Sequence, residues 1–337
     1  MSNKELITYC RYCKNQKLKY FSSTSDYHYG NAGVWDTYRC PKCKHIYQSP
    51  IPDDKELSKY YPKTYYSFQE VKKYDFKPSI TSAKKIFLRM NFLKKERGYN
   101  FPNLKGSWIF SFLYKVLLSK PLYFDDFKFI LNGTYLDYGC GSGGTVGIMQ
   151  YFGWNAEGVD ITRKAVENGI KSGLNLRCGS NEQLDDYNNY YDVIYSSHTF
   201  EHVSDIDILF KKLYNSLKHN GLMTFTIPNG NAASIDIYKD DFYFFTMPVH
   251  INLFTSKSIE IALKNVGFTD ILITTGNRWK YQISSYYVRR KKKQGIKINF
   301  GDHTKIESKL GYISTFFNYL KSLKKFKGDN LFVTCKK

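Results

Sequence analysis

The sequence has no long uninterrupted run of apolar residues. Its longest apolar stretch, Trp108 to Phe124, is broken by Lys115, Lys120 and Pro121. A membrane-spanning helix needs roughly 18 or more consecutive apolar residues, so this stretch predicts no span. The first ten residues also lack the basic segment followed by an apolar segment that marks a secretory signal. We therefore expect a cytoplasmic protein, either free or peripheral at the inner face of the membrane.

Acidic residues are scarce relative to basic ones. The 337 residues include 30 Asp and Glu against 50 Lys and Arg, which gives a formal net charge of +20. The excess is concentrated in residues 278–337, which contain 16 basic residues and three acidic ones. We favour the explanation that the excess of basic residues reflects the codon bias of an AT-rich genome and lies on a solvated surface. Attraction to an anionic membrane, through an amphipathic run from Ile306 to Phe326, and nucleic-acid binding stay open as alternatives.

Four of the seven cysteines form two C-x-x-C pairs, Cys10 with Cys13 and Cys40 with Cys43. Each pair presents two sulfur atoms on one tight turn, and two such turns match a four-thiolate zinc site. Disulfides are the alternative, which a cytoplasmic location disfavours. We therefore predict a structural Zn²⁺ ion held by these four residues.

The segment 134–145 places glycines at every second position after a short β-rich run. Asp137 precedes Gly139, Gly141 and Gly143, and Asp160 closes the next apolar run. Glycines allow a tight strand-to-helix turn and close approach of the backbone to a ligand, and the following helix offers free N–H groups. The pattern predicts a nucleotide-type cofactor site.

These residues resemble the class I S-adenosylmethionine (SAM)-dependent methyltransferases. The resemblance is carried by Asp-Tyr-Gly-Cys-Gly-Ser-Gly followed by Gly-Val-Asp-Ile. It continues through the segments Tyr191–Ile194, His198–Val203, Leu217–Leu222 and Ile227–Asn229. A nicotinamide dehydrogenase, whose turn reads G-x-G-x-x-G, is the alternative, because Gly144 also satisfies that spacing. The Glu-His-Val stretch at residues 201–203 favours the methyltransferase.

Strand and helix patterns alternate from residue 134 onward, which predicts a mostly parallel sheet with helices on both faces. The resemblance implies a Rossmann-like α/β fold with seven strands, the last one antiparallel. The predicted domains are a four-cysteine zinc ribbon (1–50), a connector with a basic helical segment (51–130), the SAM-binding core (131–277), and a basic helical insertion with the last strand (278–337).

The resemblance also assigns roles at the cofactor site. Asp137 would accept hydrogen bonds from the amino group of SAM, and Asp160 would hold the ribose. Ser180 stands where the family often has an acid, so Asn181 or the backbone would contact the adenine. The predicted cofactor-binding residues are Asp137, Gly139, Gly141, Gly143, Asp160, Ser180 and Asn181.

Methyl transfer to a hydroxyl or a carbon acid requires removal of the acceptor proton, for which an imidazole is suited at neutral pH. His198 follows the fourth strand of the predicted sheet, and His250 lies in the long insertion 230–255. We predict these two as the catalytic residues. His202 is a third candidate, but together with its neighbour Glu201 it is assigned a structural role.

The acceptor is less well defined by the sequence. The ribbon and the Tyr-Tyr-Pro…Tyr-Tyr segment that ends at Tyr66 resemble methyltransferases of bacterial surface-polysaccharide gene clusters. That resemblance implies O- or C-methylation of a sugar, a small-molecule or glycan acceptor. The main alternative is an RNA methyltransferase that grips rRNA or tRNA with its ribbon and basic tail. Against it, the base-methylating N/D-P-P-Y/F pattern is absent and exposed aromatics are not regularly interleaved with the basic residues. A catalytically inactive binding module is disfavoured by the intact glycine turn.

Overall fold

The computed structural model describes residues 8–27, 29–61, 80–117, 127–276, 279–296, 309–322 and 327–337. The chain divides into two compact units that are each built from separate segments. The unit that we call the ribbon unit comprises Met1–Lys63, His198–Phe210 and Thr226–Val333. The other, the glycine-turn unit, comprises Thr64–Ser197, Lys211–Phe225 and Thr334–Lys337.

The strands form two sheets. In chain order they are β1 (Lys19–Thr24), β2 (Trp35–Arg39), β3 (Ile46–Gln48), β4 (Thr134–Tyr138), β5 (Asn155–Asp160), β6 (Leu176–Cys178), β7 (Tyr191–Ser197), β8 (Leu217–Pro228), β9 (Asn252–Leu253), β10 (Thr269–Gly276) and β11 (Asn330–Lys336). The four-stranded sheet has the order β1-β2-β3-β9, and the seven-stranded sheet has the order β10-β11-β8-β7-β4-β5-β6. The second sheet is mixed and mostly parallel, which confirms the predicted Rossmann-like fold class.

The helices follow the strands in the alternation that the sequence predicted. They are α1 (Asp54–Leu57), α2 (Ile80–Glu96), α3 (Trp108–Leu117), α4 (Gly144–Tyr151), α5 (Arg163–Lys171), α6 (Ile206–Ser216), α7 (Ala233–Tyr238), α8 (Ser256–Val266), α9 (Trp279–Lys293) and α10 (Lys309–Ser322). Short 3₁₀ turns occur at Ser58–Tyr60, Asn181–Leu184, Phe200–His202 and Lys239–Asp241.

The parallel pairing of β4 with β5 positions the cofactor residues. Asp137 on β4 lies opposite Gly158 on β5, and β5 pairs in the same direction with β6. Because the carboxyl ends of parallel strands meet at one edge of a sheet, Asp137 and Asp160 come to the same edge. Behind them Tyr135, Val146 and Val193 are almost fully buried in one apolar core.

The ribbon sheet is completed by residues far along the chain. Strand β3 pairs antiparallel with β9, with Ile46 opposite Leu253 and Tyr47 opposite Asn252. An aromatic-rich core cluster in the same unit includes Ile46, Leu253 and Phe244. The ribbon therefore folds onto the long insertion 230–255 that follows β8.

Helix α8 begins at Ser256 and is capped by the residue before it. Its N-cap is Thr255, whose hydroxyl accepts a hydrogen bond from the backbone N–H of Ser258, while the Ser258 hydroxyl accepts one from the Thr255 N–H. This reciprocal capping box satisfies two N–H groups that a helix start leaves without partners. Ser258 thus takes part in the cap from the third helical position.

Helices α2 and α3 pack against each other in the glycine-turn unit. Leu93 and Tyr114 are buried there, whereas Trp108, Phe112 and Leu117 are each more than 60% exposed. The described residues therefore cover only part of the apolar surface of α3. Among those residues, no helix has both the length and the apolar character needed to cross a membrane.

The basic C-terminal region contributes α9 and α10. In the basic run at the end of α9, the Arg289 Nε donates to Asp241 Oδ2 at 3.0 Å and Lys292 is paired with Asp240 and Asp241. The predicted amphipathic run 306–326 coincides with α10 over residues 309–322, and its two ends lie outside the described residues. Phe317 on α10 is exposed.

Candidate active site

The glycine turn has the left-handed backbone geometry that its sequence predicts. Gly139, Gly141 and Gly143 have φ values of 81°, 55° and 83°, a region that residues with a Cβ rarely adopt. The Gly139 N–H donates to the Val159 carbonyl at 2.8 Å, which ties the turn to β5. Gly143 is the N-cap of α4, so the turn delivers the chain directly into that helix.

Close packing also requires the third glycine of the turn. A Cβ on Gly143 would lie 2.8 Å from Leu174 Cδ1 and 3.0 Å from Leu176 Cδ1. A side chain at this position would therefore push α4 away from β6 and its preceding loop. The glycine spacing that signalled a ligand site is thus also a requirement of the fold.

Asp160 fixes the conformation of the turn through its carboxylate. Its Oδ2 accepts a hydrogen bond from the Gly141 N–H at 2.7 Å, and its Oδ1 accepts one from the Thr162 N–H at 2.8 Å. Each carboxylate oxygen has a second lone pair, so both can still accept a ribose hydroxyl. The pre-set orientation suits the role that the sequence predicted.

Asp137 is buried at the end of β4, with 3% of its surface exposed. Burial, together with the negative charge of nearby Asp160, raises the pKa of Asp137 to about 8, although a hydrogen bond from Thr145 opposes the rise. The carboxyl groups of Asp137 and Asp160 therefore lie close together beside the glycine turn. No basic side chain is among the causes of the pKa shift of Asp137. An incoming cation would stabilise the ionised form of both carboxyl groups.

The two predicted adenine-side residues lie where β6 ends. The Ser180 N–H donates to Glu182 Oε1 at 2.7 Å. The Asn181 side-chain oxygen accepts from Lys212 Nζ at 3.3 Å, and that ammonium group also pairs with Asp185 at 2.6 Å. These bonds order the loop after β6 and leave the Asn181 amide nitrogen as a donor for a ligand.

The four predicted zinc ligands converge in the ribbon unit. One sulfur atom from each cysteine lies within 4.8 Å of all the others, with Cys10 and Cys43 sulfurs 3.5 Å apart and Cys13 and Cys40 sulfurs 3.4 Å apart. Sulfurs around a tetrahedral zinc ion, at about 2.3 Å from the metal, are separated by about 3.8 Å. All four are free thiols, so the cluster fits a tetrahedral zinc ion after a small adjustment.

Both cysteine pairs use the same turn. In each, the residue after the second cysteine has a positive φ, 56° at Lys14 and 65° at Lys44. The N–H of Cys10 and that of Cys40 each donate, at 2.9 Å, to the carbonyl five residues later. The repeated geometry is what aims two sulfur atoms from each turn at one point.

Groups around the cluster support thiolate ligands. The Tyr47 hydroxyl donates to Cys10 Sγ at 2.9 Å and itself accepts from the Arg11 N–H at 3.0 Å. The hydrogen bond with Cys43 and then that from Tyr47 lower the pKa of Cys10 to about 4, against the effect of burial. Such outer hydrogen bonds orient metal ligands and tune their basicity.

The predicted base His198 has an unusual backbone. Its φ is +55°, which costs energy for a residue with a Cβ and is commonest at functional sites. Its N–H donates to the Thr226 carbonyl at 2.8 Å. Its Nδ1 lies 3.2 Å from Glu201 Oε1, and its ring lies nearly parallel to Phe244 with centroids 5.2 Å apart.

Glu201 lies at the centre of this histidine-rich region and is fully buried. Burial opposes ionisation, but the hydrogen bond from His198 and the nearby histidines lower the pKa of Glu201 to about 2. Its second oxygen, Oε2, has no hydrogen-bond partner among the described residues. The carboxylate is therefore ionised, with one oxygen occupied by His198 and the other available.

His202 and His250 face each other, with ring centroids 4.6 Å apart and planes at 76°. The His202 Nδ1 lies 2.9 Å from the Val249 carbonyl, and the His250 Nδ1 lies 2.7 Å from the Phe244 carbonyl. Burial lowers the pKa of both, that of His250 to about 3. Both imidazoles are therefore neutral at pH 7.

The structure thus joins the two predicted catalytic histidines through residues to which the sequence assigned a structural role. We call this group, which consists of His198, Glu201, His202 and His250, the histidine cluster. The acid next to a histidine, at Glu201-His202, was the one available signal. The position of His250 could not be deduced, because it depends on how residues 230–255 fold.

Residues 113–273 match a protein family described as "Methyltransferase domain". Phosphoethanolamine N-methyltransferase 3 of Arabidopsis thaliana is 25% identical over 144 residues, 41% of this chain and 29% of that protein. A ubiquinone biosynthesis O-methyltransferase of Pelagibacter ubique is 34% identical over 115 residues, 32% of this chain and 47% of that protein. The chain spans less than half the length of each of these relatives.

Solved structures of methyltransferases also align with parts of this chain. A SAM-dependent methyltransferase from Archaeoglobus fulgidus aligns over 61% of this chain and 86% of its own, with 19% identity and a TM-score of 0.43. The phosphoethanolamine N-methyltransferase 2 of Haemonchus contortus, solved with S-adenosyl-L-methionine, aligns over 79% of this chain and 60% of its own, with 18% identity and a TM-score of 0.41.

The family match covers the glycine turn, both acids beside it and the histidine cluster. It also includes most of the motifs that carry the resemblance. Residues 113–273, just under half of the chain, therefore match a methyltransferase domain, in agreement with the predicted class I SAM-dependent type.

Proposed function

We propose that this protein is an enzyme that transfers the methyl group of SAM to a sugar hydroxyl or, less favoured, a sugar carbon, in a surface polysaccharide or its precursor. Binding of SAM is assigned to residues of the glycine-turn unit. Activation of the acceptor is assigned to the histidine cluster in the ribbon unit.

The pair of acids at the glycine turn is the observation that carries the cofactor assignment. Asp137 is buried with a raised pKa, and the negative charge of Asp160 contributes to that rise. A dinucleotide would bring a doubly charged pyrophosphate to this turn, where the negative charge of Asp160 would repel it and the raised pKa of Asp137 would rise further. SAM instead brings an ammonium and a sulfonium group, so its charge complements the turn.

When bound, SAM supplies a methyl group on a sulfonium that is already activated as a leaving group. The residues of the chain then have to hold it. Asp137 would accept from the ammonium group and Asp160 from the ribose hydroxyls. Ser180 and Asn181, in the loop ordered by Lys212, would contact the adenine.

His198 is the residue best suited to take the proton from an acceptor hydroxyl. Its Nδ1–H donates to buried Glu201, which fixes the tautomer and leaves Nε2 as the proton acceptor. About a quarter of its side chain is exposed, so an acceptor could reach it. His250 is less suited to this task, because burial lowers its pKa to about 3.

A structural zinc ion at Cys10, Cys13, Cys40 and Cys43 is part of the proposal. The ribbon contacts segments on both sides of the histidine cluster. Arg11 Nη1 donates to the Ser204 carbonyl at 3.3 Å, and the Gln48 N–H donates to the Ile251 carbonyl at 3.0 Å. Zinc would thereby hold in place the two segments that carry Glu201 and His250.

Two observations support a small-molecule or glycan acceptor over RNA. Within the basic run of α9, Arg289 and Lys292 are engaged with acidic residues of the same unit, which reduces the charge available to phosphates. The names of two relatives, from Chelativorans and Pelagibacter ubique, describe O-methylation in ubiquinone biosynthesis. An RNA acceptor remains the alternative function.

Peripheral contact of the basic C-terminal region with an anionic membrane is a further part of the proposal. It is supported by the exposed apolar residues of α10, Ile313, Phe316 and Phe317, on a helix flanked in sequence by lysines. Flotation with acidic liposomes should recover the full chain but not a chain that lacks residues 306–326. Equal recovery of both would contradict this contact.

Two measurements test the proposal. Calorimetry should show binding of SAM in preference to a nicotinamide dinucleotide, and the reverse preference would overturn the cofactor assignment. Incubation with methyl-labelled SAM should then label nucleotide-linked sugars rather than rRNA or tRNA. Transfer of label to RNA alone would favour the alternative.

A further inference from the structure

The histidine cluster has the composition of a metal site as well as that of a proton relay. One ligand atom from each of Glu201, His202 and His250 lies within 4.8 Å of the others. Two imidazoles and one carboxylate form a ligand set that binds Zn²⁺ in hydrolytic enzymes and Fe²⁺ in oxygenases. The set is separate from the four cysteines of the ribbon.

The hydrogen bonds of the two imidazoles determine which nitrogen of each ring carries the lone pair. The Nδ1 of His202 and that of His250 each donate to a backbone carbonyl, from Val249 and Phe244. The Tyr61 hydroxyl oxygen also lies 3.0 Å from His202 Nδ1. Each Nε2 therefore carries the lone pair, which is the arrangement that outer hydrogen bonds impose on metal-bound histidines.

The hydrogen bonds of the Glu201 carboxylate likewise leave one oxygen available for a metal ion. Glu201 Oε1 is held by His198 at 3.2 Å, while the fully buried Oε2 has no hydrogen-bond partner among the described residues. A buried charged oxygen without a partner is costly. Coordination of a cation would remove that cost and would leave His198 as the group that orients the ligand.

The backbone around the cluster is braced from outside it. The Asn252 Nδ2 donates to the Val203 carbonyl at 3.0 Å, which links the segment after His202 to the segment after His250. Because the two ligand-bearing segments are tied together by this bond and by the ribbon, their separation is set before any ion arrives. Pre-set ligands favour binding of an ion.

We infer that Glu201, His202 and His250 form a site for a divalent transition-metal ion such as Zn²⁺, with His198 as its positioning residue. Three protein ligands leave at least one coordination position open. An oxygen ligand in that position would lose its proton more readily, since a bound metal ion lowers the pKa of coordinated water or hydroxyl. The acceptor hydroxyl would be the oxygen ligand in the open position. This role of the open position rests on the proposed function.

The test is made on the full chain with zinc already in the ribbon. Titration with Co²⁺ should then add one equivalent with weak d–d absorption and without the sulfur-to-cobalt charge-transfer band of a cysteine site. Glu201→Gln and His250→Ala should each abolish this signal. His198→Ala should weaken Co²⁺ binding by roughly 10- to 100-fold, the scale for loss of an outer-shell partner.

Control variants test whether a loss of Co²⁺ binding is specific to the histidine cluster. His219→Ala changes an exposed histidine outside the cluster and should leave Co²⁺ binding as in the wild type. Thermal unfolding of each variant reports whether it folds, and His250→Gln is a second substitution at the same ligand if the alanine variant does not.

Binding of only the ribbon zinc by the wild-type protein would overturn the inference. Unchanged Co²⁺ binding in folded Glu201→Gln and His250→Ala variants would do the same. SAM binding is measured separately by calorimetry. Failure to bind SAM with intact Co²⁺ binding would count against the proposed function and still support the metal site.

Discussion

The cofactor site and the histidine cluster are assembled in opposite ways. The predicted SAM residues all lie between Asp137 and Asn181, and each is positioned by a strand end or by the turn that follows it. The histidine cluster combines a 3₁₀ turn at Phe200–His202 with a residue nearly fifty positions later, and it is braced by the ribbon near the start of the chain. The cofactor site can be predicted from the spacing of its residues along the sequence, whereas the histidine cluster depends on tertiary packing.

This difference predicts that damage to the ribbon should affect one site and spare the other. Cys10→Ser should have the largest effect, because zinc supplies most of the folding free energy of such a small module, about 10–16 kcal/mol in zinc-finger peptides. Zinc content should fall, methyl transfer should be lost, and SAM affinity should be unchanged. Metal analysis, an activity assay and calorimetry check the three outcomes.

Cys335→Ala is the matched control for that variant, since Cys335 is a buried cysteine outside the cluster. It should retain zinc and activity. Retention of zinc by a Cys10→Ser/Cys40→Ser double variant would contradict the assignment of the four ligands. Parallel loss of SAM binding would contradict the independence of the two sites.

The second prediction concerns the base. His198→Ala should lower turnover by about 10²- to 10⁴-fold, the usual contribution of a general base, while SAM affinity stays near the wild-type value. Steady-state kinetics on the identified acceptor measure the first quantity and calorimetry the second. His219→Ala should match the wild type in both.

His250→Ala should also lower turnover, and comparison with His198→Ala separates the roles of the two residues. Loss of a metal ligand should abolish Co²⁺ binding, whereas loss of the base should only weaken it. If both single variants keep wild-type turnover, neither histidine is the base, and alignment of the acceptor alone would account for the chemistry.

The same contrast explains what could be read from the sequence. The mostly parallel sheet follows from the alternation of strand and helix patterns, and its seven strands follow from the family resemblance. A glycine is required at position 143 because φ is positive there and because a Cβ would meet Leu174. The four cysteines were recognisable because ligand spacing within each turn is fixed. The pairing of β3 with β9 was not predictable, because β9 has only two residues and no pattern of its own.

The role of Glu201 was missed for a related reason. In the sequence it is one acid beside one histidine, which is compatible with an ordinary buried ion pair. Its importance comes from His250, and from an oxygen that stays without a hydrogen-bond partner among the described residues. Neither fact has a local signature.

The third prediction addresses the cofactor site itself. Asp160→Ala should weaken SAM binding by roughly 1–3 kcal/mol, the scale of lost charge-assisted hydrogen bonds, and it also frees the N–H of Gly141 and that of Thr162. Zinc content and Co²⁺ binding should not change. Asp186→Ala, at an exposed position in the same unit, should bind SAM normally, and equal affinities for the two variants would remove Asp160 from the site.

The smallest expected effect is a pH dependence of SAM binding that only the cofactor site should show. Because the pKa of Asp137 is raised to about 8, this residue is mostly protonated in the free protein at pH 6, and the ammonium group of SAM favours the ionised form. Binding should therefore release close to one proton per SAM, and affinity should rise by about tenfold between pH 6 and pH 7. The amino group of SAM keeps its proton over this range, since α-amino groups titrate near 7.7–8.0. Calorimetry in buffers of different ionisation enthalpy measures the released proton directly. Asp137→Asn should remove both the proton release and the pH dependence, and a wild-type protein that binds SAM without releasing protons would show that Asp137 does not meet the ammonium group.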